Sequence, residues 1–170
     1  MCRAIFFSII FFSSSSYANH PFHIFLKQEF NATDSIIGIG AAASVSPASS
    51  LIRGELISSL NYAEVLDDKG DIQNFLSLDT GVRLGIYGKA FIYIEAGFDT
   101  LELFYEDARD DDNFYDSTEN NSIDGYAGLG AGFKAYNVQI EGFVKARQID
   151  GDTWDSDKQI FYGLQLSLSF

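Results

Sequence analysis

The sequence predicts an all-β protein, an eight-stranded antiparallel up-and-down transmembrane β-barrel. Three observations lead to this prediction. Apolar and polar residues alternate with a period of two in eight segments, which is typical of strands with one apolar face. No apolar run reaches the roughly 18 residues that a membrane helix needs. Short turns and longer polar loops alternate between most of the segments, as they do when antiparallel strands thread a membrane.

Composition limits the chain to one domain and excludes some functions. The chain has 170 residues, with 15 Gly, 16 Phe and 9 Tyr but only 2 Pro and 2 His. This length suits a single closed barrel. The formal net charge of −13 argues against nucleic acid as a partner, because phosphates need a basic surface. The single cysteine, Cys2, excludes a disulfide within the chain.

Residues 1–18 have the pattern of a secretory signal peptide. Arg3 gives a positive start, residues 4–12 are apolar, and Ser16 and Ala18 are small residues at the −3 and −1 positions of a cleavage site. This apolar stretch is too short to span a bilayer. We expect cleavage after Ala18 and a barrel domain over residues 19–170; a buried N-terminal strand is the alternative interpretation.

The first four strands are predicted over residues 22–30, 37–45, 52–62 and 76–86. Strand two has its apolar residues at odd positions, and the other three have them at even positions, with Gln28 as an exception. The connections are predicted as a link over 31–35, a turn over 46–50 and a polar loop over 67–74. The fourth strand has the cleanest alternation of these.

Strands five to seven continue the pattern. The fifth begins at Phe91, after a two-residue hairpin at Gly88 and Lys89. Its phase slips after Phe98, and a bulge near Thr100 is the predicted cause. A long acidic loop over 106–122 leads to strand six over 123–134, and a tight turn over 135–137 leads to strand seven over 138–147. Another acidic loop follows over 149–157.

The eighth strand, residues 158–170, has apolar residues at every even position from Ile160 to the aromatic Phe170. This terminal pattern resembles the closing strand of Gram-negative outer-membrane β-barrels. In that family the barrel-assembly machinery recognises this strand, which then closes the barrel against strand one. The resemblance implies an assembly signal formed by Tyr162, Gly163, Leu166, Leu168 and Phe170.

The polar face of the strands is predicted to line the lumen. Nine of the 15 glycines share it, and small residues suit the narrow interior of an eight-stranded barrel. Six bases facing lipid at roughly 2–4 kcal/mol each would exceed a typical stability of about 5–15 kcal/mol. A soluble lipocalin-like barrel, which also has one apolar face, is the alternative.

The charges on the polar face are balanced, which predicts a network of ion pairs inside the lumen. The six bases are Lys27, Arg53, Arg83, Lys134, Lys145 and Arg147. The six acids are Glu29, Glu55, Asp79, Glu95, Asp99 and Glu141. Asp79 and Arg83 share one face of strand four, and Glu95 lies on the next strand of the same hairpin, so these three are expected to interact. A packed lumen is expected, with a selective pore as the alternative.

Over residues 19–170 the pattern is similar to the small eight-stranded outer-membrane proteins of the porin-like superfamily, which include the barrel of outer-membrane protein A and the opacity-type adhesins. The resemblance implies a non-enzymatic outer-membrane protein of the Gram-negative envelope, with lipopolysaccharide and the assembly machinery as partners. A surface adhesin or a narrow ion channel is the alternative function. No peptidoglycan-binding domain follows Phe170, so anchoring to the cell wall is not expected.

We expect neither an active site nor a cofactor. Enzymes among such barrels generally use a histidine near the outer membrane edge as a general base. His20 and His23 both lie at the N-terminal end of strand one, on the opposite side. No Ser-His-Asp constellation is therefore expected on the outer side.

The loops predicted on the outside are acidic and could hold divalent cations. Fifteen of the 24 acids lie there, opposed only by Lys69 and Arg109. The acids are Asp34, Asp67, Asp68, Asp71, Glu106, Asp107, Asp110, Asp111, Asp112, Asp116, Glu119, Asp150, Asp152, Asp155 and Asp157. Calcium or magnesium could bridge these carboxylates to anionic lipopolysaccharide, and simple solvation is the alternative. Residues 150–157 do not match a calcium-binding loop, because Asp155 stands where that loop needs glycine.

Overall fold

The alternating segments form a closed barrel in the computed structural model of the chain. The structure describes residues 22–47, 50–66, 70–101, 124–148 and 158–170. The strands are β1 (Phe22–Phe30), β2 (Ser35–Ser44), β3 (Ile52–Leu66), β4 (Ile72–Tyr87), β5 (Ala90–Asp99), β6 (Gly125–Ala135), β7 (Val138–Gln148) and β8 (Lys158–Ser169). Each strand pairs antiparallel with the next, and β8 pairs with β1. The predicted fold class, a closed eight-stranded antiparallel barrel, is confirmed.

The two ends of the barrel differ in their connections. We call one the turn end, where residues 45–51, 88–89 and 136–137 connect successive strands. At the two-residue turn over 136–137, Tyr136 has a φ of 57°, the left-handed conformation that tight hairpins require. We call the other the loop end, where β1 ends and β8 begins. Phe22 and Phe170 both lie at the turn end, because an even number of strands returns the chain to the side where it started.

Several predicted strand boundaries are wrong: β3 continues to Leu66 and does not end at residue 62, and β6 begins at Gly125 and not at residue 123. The loop predicted over 67–74 is shorter, because β4 already begins at Ile72 and pairs with β3 up to Leu66. The bulge predicted near Thr100 is absent, because β5 ends at Asp99. Residues 106–122, 149–157 and Ile123 lie outside the described residues.

Beyond the end of β5, side chains form the hydrogen bonds that a paired strand would otherwise form with β4. Asp99 Oδ1 accepts hydrogen bonds from the backbone N–H groups of Leu78, at 2.9 Å, and Leu101, at 2.8 Å. Thr100 Oγ1 donates to the carbonyl of Leu78 at 2.7 Å. Both backbone groups of Leu78 therefore have hydrogen-bond partners without a paired strand, so the ladder between β4 and β5 can end here.

The register shifts steadily around the barrel. Starting at His23, successive partners are Ala42, Ile57, Gly81, Gly97, Tyr126, Arg147 and Gln159. Extending the β8–β1 register, in which Tyr162 faces Phe30, places Gln159 opposite Thr33, ten residues beyond His23. For eight strands this stagger corresponds to a tilt of about 40°. Residues at the same height in the lumen therefore come from positions that are not register partners.

Apolar side chains face outward on all eight strands. Leu26, Leu60, Ile94 and Leu164 are between 48% and 62% exposed. Among strand residues whose side chains the structure describes, Glu64 near the loop end carries the one charge that faces outward. Within the same described ranges, no helix has the length and hydropathy needed to cross a membrane.

Exposed aromatic side chains lie in two rings on the outer surface. The ring near the turn end contains Phe22, Phe133, Tyr136 and Phe170. The ring near the loop end contains Phe30, Tyr62, Phe98 and Tyr162. The apolar surface between these rings forms a band around the whole barrel.

Candidate functional site

Glycines make room for large side chains inside the barrel. Five large side chains each face a glycine in register on an adjacent strand: Phe25, Phe91, Tyr93, Tyr126 and Phe143. The respective glycines are Gly40, Gly132, Gly130, Gly97 and Gly163. A Cβ added at Gly132 would lie 2.6 Å from Cζ of Phe91, closer than real Cβ contacts come. The ring covers the backbone of the glycine, which is how aromatic residues support glycine in strands.

Towards the loop end, Arg147 joins two acids. Its Nε and Nη2 lie 2.6 Å and 2.8 Å from the two carboxylate oxygens of Glu29. Its Nη1 and Nη2 lie 3.2 Å and 2.6 Å from the carboxylate of Asp79. Lys27 Nζ contacts the same two acids, at 3.0 Å from Glu29 and 2.9 Å from Asp79. Four charged groups thus form a closed cycle of ion pairs.

Towards the turn end, Arg83 forms a second centre. Its Nε lies 2.8 Å from Glu95 Oε2, and its Nη2 lies 3.1 Å from Glu141 Oε1. Tyr93 donates its hydroxyl to the same oxygen of Glu141 at 2.8 Å, and its ring lies 4.0 Å from the guanidinium carbon of Arg83. Arg83 therefore has charge-assisted hydrogen bonds and a cation–π contact at once.

Lys145 joins the two centres. Its Nζ lies 2.6 Å from Glu95 Oε1 and 3.5 Å from Glu29 Oε1. The result is one connected network, which we call the lumen network, of Lys27, Glu29, Asp79, Arg83, Glu95, Glu141, Lys145 and Arg147. Four bases and four acids make it formally neutral. None of the eight residues is more than 7% exposed, so their mutual pairing replaces the hydration that burial removes.

The lumen network crosses the barrel from wall to wall. Lys27 on β1 reaches Asp79 on β4, and Arg83 Nη2 on β4 lies 3.4 Å from Gln165 Oε1 on β8. Apolar clusters lie on either side of the network, with Ile36, Ala63, Val65 and Phe161 towards the loop end and Phe25, Ala42 and Ile57 towards the turn end. A cavity of about 20 Å³ beside Asp79, Asp99 and Arg147 is large enough for about one water molecule.

The other four predicted charges lie outside this network. Asp99 caps the end of β5, as described above. Glu55 accepts a hydrogen bond from the Tyr87 hydroxyl at 2.9 Å, and Arg53 Nε donates to the carbonyl of Ser50 at 3.1 Å. Lys134 is half-buried and forms no ion pair with the described residues. The expected grouping of Asp79 with Arg83 is wrong, because Asp79 pairs with Lys27 and Arg147 instead.

Sequence reasoning missed the tyrosines that complete the lumen: the alternation placed Asn61, Gln139 and Gln165 on the polar face but did not place Tyr87, Tyr93 and Tyr126 there. Tyr87, Tyr93, Tyr126, Asn61, Gln139 and Gln165 all face inward. Asn61 donates to Ser77 Oγ at 3.0 Å, and Gln139 donates to Ser169 Oγ at 2.7 Å. Strand parity could have identified the tyrosines, since Tyr93 lies on the same face of β5 as Glu95, and Tyr126 lies on the same face of β6 as Gly128.

The residues of the predicted assembly signal lie along β8 and at its end. Tyr162, Leu166, Leu168 and Phe170 face outward, and Gly163 faces inward beneath the ring of Phe143. The backbone N–H of Phe170 donates to the carbonyl of Phe22 at 2.9 Å, so Phe170 continues the seam between β8 and β1. Their role in assembly stays a prediction.

The loop acids are described in part. Asp34 is only 4% exposed; it accepts hydrogen bonds from Asn31 Nδ2 at 2.8 Å and from the Leu66 N–H at 3.0 Å. Asp34 therefore joins the β1–β2 turn to β3 and is not simply solvated. Asp71 is exposed, and the other thirteen predicted loop acids lie outside the described residues. Within the described ranges no group of three His, Cys, Asp or Glu side chains could hold a metal ion.

Comparison of the sequence with protein-family models finds no match, and comparison with curated proteins also finds none. Among solved structures, the chain is similar to one described as "De novo design of transmembrane beta-barrels", with a TM-score of 0.53 and 15% sequence identity. The similarity covers 92% of this chain and 100% of that chain. At this identity it shows the fold alone, which is that of an eight-stranded transmembrane β-barrel.

Proposed function

We propose that the chain is a non-enzymatic integral protein of the Gram-negative outer membrane, of the outer-membrane protein A barrel or opacity type, with a closed lumen. Its role is structural, or is carried by interactions at the loop end, which faces the outside. The observation that carries this proposal is the distribution of charge. Exposed apolar side chains lie on the outward face of every strand, where Glu64 is the one charge among the described strand side chains, whereas the buried lumen holds a formally neutral network of eight charged groups.

The height of the apolar band supports a membrane location. Phe22 and Phe30 on β1 belong to opposite aromatic rings and lie eight residues apart, as do Tyr162 and Phe170 on the adjacent β8. With a rise of about 3.3 Å per residue and a tilt of about 40°, the rings are about 20 Å apart along the barrel axis. Outer-membrane barrels have an apolar band of about 25 Å between aromatic girdles, in a bilayer thinner than average.

The packing of the lumen supports a closed barrel over a channel. A conducting pore would leave its charged groups hydrated, but Lys27, Arg83 and Glu141 are 4% exposed or less. Their ion pairs connect strands on different sides of the lumen. Small eight-stranded barrels generally fill their interior with side chains.

One structural feature supports a role in surface interactions. β3 and β4 pair up to Leu66 and Ile72, whereas the pairing of β2 with β3 ends at Ser35 and Glu64. The β3–β4 hairpin therefore continues two residues beyond its last pair with β2, where the Leu66 N–H donates to Asp34. On its other side, residues 72–78 of β4 continue beyond the last pair with β5, Asp79 with Asp99. Leu66 and Ile72 at the tip of the hairpin are 41% and 66% exposed. An adhesin-like binding role is consistent with such a projection.

A depth-dependent substitution tests the membrane location. Leu26 lies midway between Phe22 and Phe30, so Leu26→Arg should lower the free energy of unfolding in lipid vesicles by about 2–4 kcal/mol. Leu66→Arg, beyond the band, should cost about 0–1 kcal/mol. Equal effects of the two substitutions would argue for the soluble barrel instead.

Fractionation tests the compartment. The protein should remain with the outer membrane after alkaline extraction, and its unboiled form should migrate differently in a gel from the boiled form. Mass measurement should give a mature chain starting at Asn19, after removal of the proposed signal peptide. Recovery in the soluble fraction would contradict the proposal. In planar bilayers, conductance steps from the purified barrel would favour the narrow channel.

A further inference from the structure

The seam between β8 and β1 opens at the loop end. Its last register pair joins Tyr162 to Phe30, whereas residues 158–161 of β8 continue along β7 alone. Beyond Phe30 the chain turns towards β2, and Asn31 Nδ2 donates across the opening to Gln159 Oε1 at 2.8 Å. Among the described residues, this end of β8 therefore has a neighbouring strand on one side only.

An open groove of about 600 Å³ lies where the seam opens. Its apolar lining consists of Ile160 and of Phe30 and Tyr162 from the loop-end aromatic ring, and all three are exposed. Its polar lining lies beyond that ring, towards the loop end, and consists of Asn31, Thr33 and Gln159. Both the volume and the mixture of apolar walls with a few polar groups are typical of sites for small molecules.

Two backbone groups of Ile160 point towards the opening. Alternate residues of an antiparallel strand direct their N–H and C=O groups to the same neighbour. The Phe170 N–H donates to the Phe22 carbonyl of β1 at 2.9 Å. The Ser169 N–H donates to the Asn137 carbonyl, in the turn before β7, at 2.8 Å. Even-numbered residues of β8 therefore face β1, and neither backbone group of Ile160 has a hydrogen-bond partner there among the described residues.

The position of these groups favours a lipid as their partner. Ile160 lies two residues beyond Tyr162, which places it about 5 Å above the aromatic ring for a rise of about 3.3 Å per residue and a tilt of about 40°. Aromatic rings of this kind lie at the level of the lipid headgroups. The polar part of the groove is therefore at headgroup height, and its apolar part continues into the band where acyl chains lie.

The lining favours an uncharged headgroup that carries hydroxyls. Ile160 offers one donor and one acceptor, and a hydroxyl can pair with both, whereas the ester oxygen of a phospholipid can only accept. None of the lining residues is charged. Asn31 Nδ2 also donates to the buried carboxylate of Asp34 at 2.8 Å, and this negative charge disfavours a phosphate beside it.

We propose that this groove binds a glycolipid with an uncharged sugar headgroup. An acyl chain of the lipid lies over Phe30, Ile160 and Tyr162, and a sugar hydroxyl pairs with the Ile160 N–H and C=O. The bound lipid thereby closes the open end of the seam between β8 and the β1–β2 turn. This inference rests on the proposed membrane location and adds a partner to it.

Lipid titration in nanodiscs tests the site. The isotope-labelled protein is placed in phosphatidylcholine discs, and glucosyl diacylglycerol with the same acyl chains replaces the lipid in steps. The amide resonances of Ile160 and Thr33 should shift saturably, whereas that of Tyr62, in the same aromatic ring but away from the seam, should not. Absence of a saturable shift at the groove would overturn the proposal.

Two further measurements separate selective binding from general contact with lipid. Phosphatidylglycerol also carries hydroxyls, but its phosphate is charged, so it should give no saturable shift at Ile160. The same shift as with the glycolipid would overturn the proposed selectivity. Recovery of the protein with the discs tests the membrane location itself. A protein that stays outside the discs would contradict the proposed function as well, whereas an inserted protein without a selective shift would overturn the glycolipid site alone.

Matched variants test the lining. Phe30→Ala should raise the mole fraction of glycolipid at half saturation at least fivefold. Phe98→Ala removes an exposed aromatic of the same ring on β5 and should change that fraction less than twofold. Equal effects would show general attraction of lipid to the ring and would overturn the site. Heat-dependent gel mobility establishes folding, and Ile160→Ala with Leu164→Ala, from one exposed face of β8, forms a second pair if Phe30→Ala does not fold.

Discussion

Arg147 on β7 and Asp79 on β4 form a bidentate ion pair across the lumen. Arg147 Nη2 lies 2.6 Å from Asp79 Oδ2, and Nη1 lies 3.2 Å from Oδ1. The same guanidinium binds Glu29 on β1. Three strands that are not neighbours are therefore connected by one side chain. These ion pairs join the strands through the interior, in addition to the backbone hydrogen bonds between neighbouring strands.

Removing Arg147 should destabilise the barrel strongly. Arg147→Ala leaves Glu29 and Asp79 with Lys27 and Lys145 as their remaining cationic partners, although both acids are buried. Breaking a buried ion pair from one side costs about 3–5 kcal/mol, and we expect a loss of that size in urea unfolding of the barrel in micelles. Lys89→Ala, at an exposed turn, is the control and should change stability by less than about 0.5 kcal/mol. A loss for Arg147→Ala no larger than for the control would contradict a packed lumen.

The interior and exterior glycines of the β7–β8 hairpin should respond oppositely to alanine. A Cβ at Gly163 would overlap the ring of Phe143 and lie 2.8 Å from the carbonyl of Gln28, so Gly163→Ala should cost about 1–3 kcal/mol. The nearest atoms to a Cβ at the outward Gly142 are 3.9 Å away, so Gly142→Ala should be neutral or slightly stabilising. Unfolding midpoints of the two variants provide the comparison. Equal effects would mean that Phe143 is not fixed over Gly163.

Deleting Phe170 should reduce assembly in cells. The folded fraction in the outer membrane should decrease while secretion to the periplasm remains unchanged, because the barrel-assembly machinery would no longer recognise the aromatic residue that ends β8. Phe133→Ala removes another exposed aromatic from the same ring and is the control for the loss of an aromatic at the membrane boundary. A normal outer-membrane yield of the deletion variant, measured by quantitative immunoblotting, would refute the assembly signal.

Calcium should stabilise the barrel if the acidic loops bind divalent cations. Under this hypothesis millimolar calcium raises the unfolding temperature of the purified protein, and replacing Asp110, Asp111 and Asp112 by Asn reduces the gain. Sodium chloride at matched ionic strength measures the part that screening alone supplies. A gain no larger than with sodium chloride would leave the loops as solvated segments.

The alternation of residues was enough to predict the faces of the strands. Lys27, Arg83 and Glu141 face inward because a residue two positions away on a strand lies on the same side. The outward faces followed from the same rule, including the unusual Gln28. The predicted closed, antiparallel, eight-stranded architecture follows from counting these segments, because with an even number of up-and-down strands the last strand can pair antiparallel with the first.

The partners across the lumen could not be predicted in the same way. Asp79 and Arg83 share a face of β4, but the tilt of the strand places Asp79 at the height of Glu29 and Arg147, and Arg83 at the height of Glu141. This height depends on the stagger of the whole barrel, which no single hairpin contains. The end of β5 was also not predicted. It depends on hydrogen bonds between the Asp99 and Thr100 side chains and the backbone of Leu78, which the alternation of residues does not reveal.

The seam between β1 and β8 has a consequence for the speed of folding. It pairs residues such as Phe30 and Tyr162, which lie far apart along the chain, whereas the other seven pairings join neighbouring strands. Contacts between distant residues form late, because a long loop must lose its freedom first. Until the seam forms, β1 and β8 both expose unpaired strand edges to other chains. We therefore expect ring closure to limit the folding rate, and an open sheet to be the species most liable to aggregate.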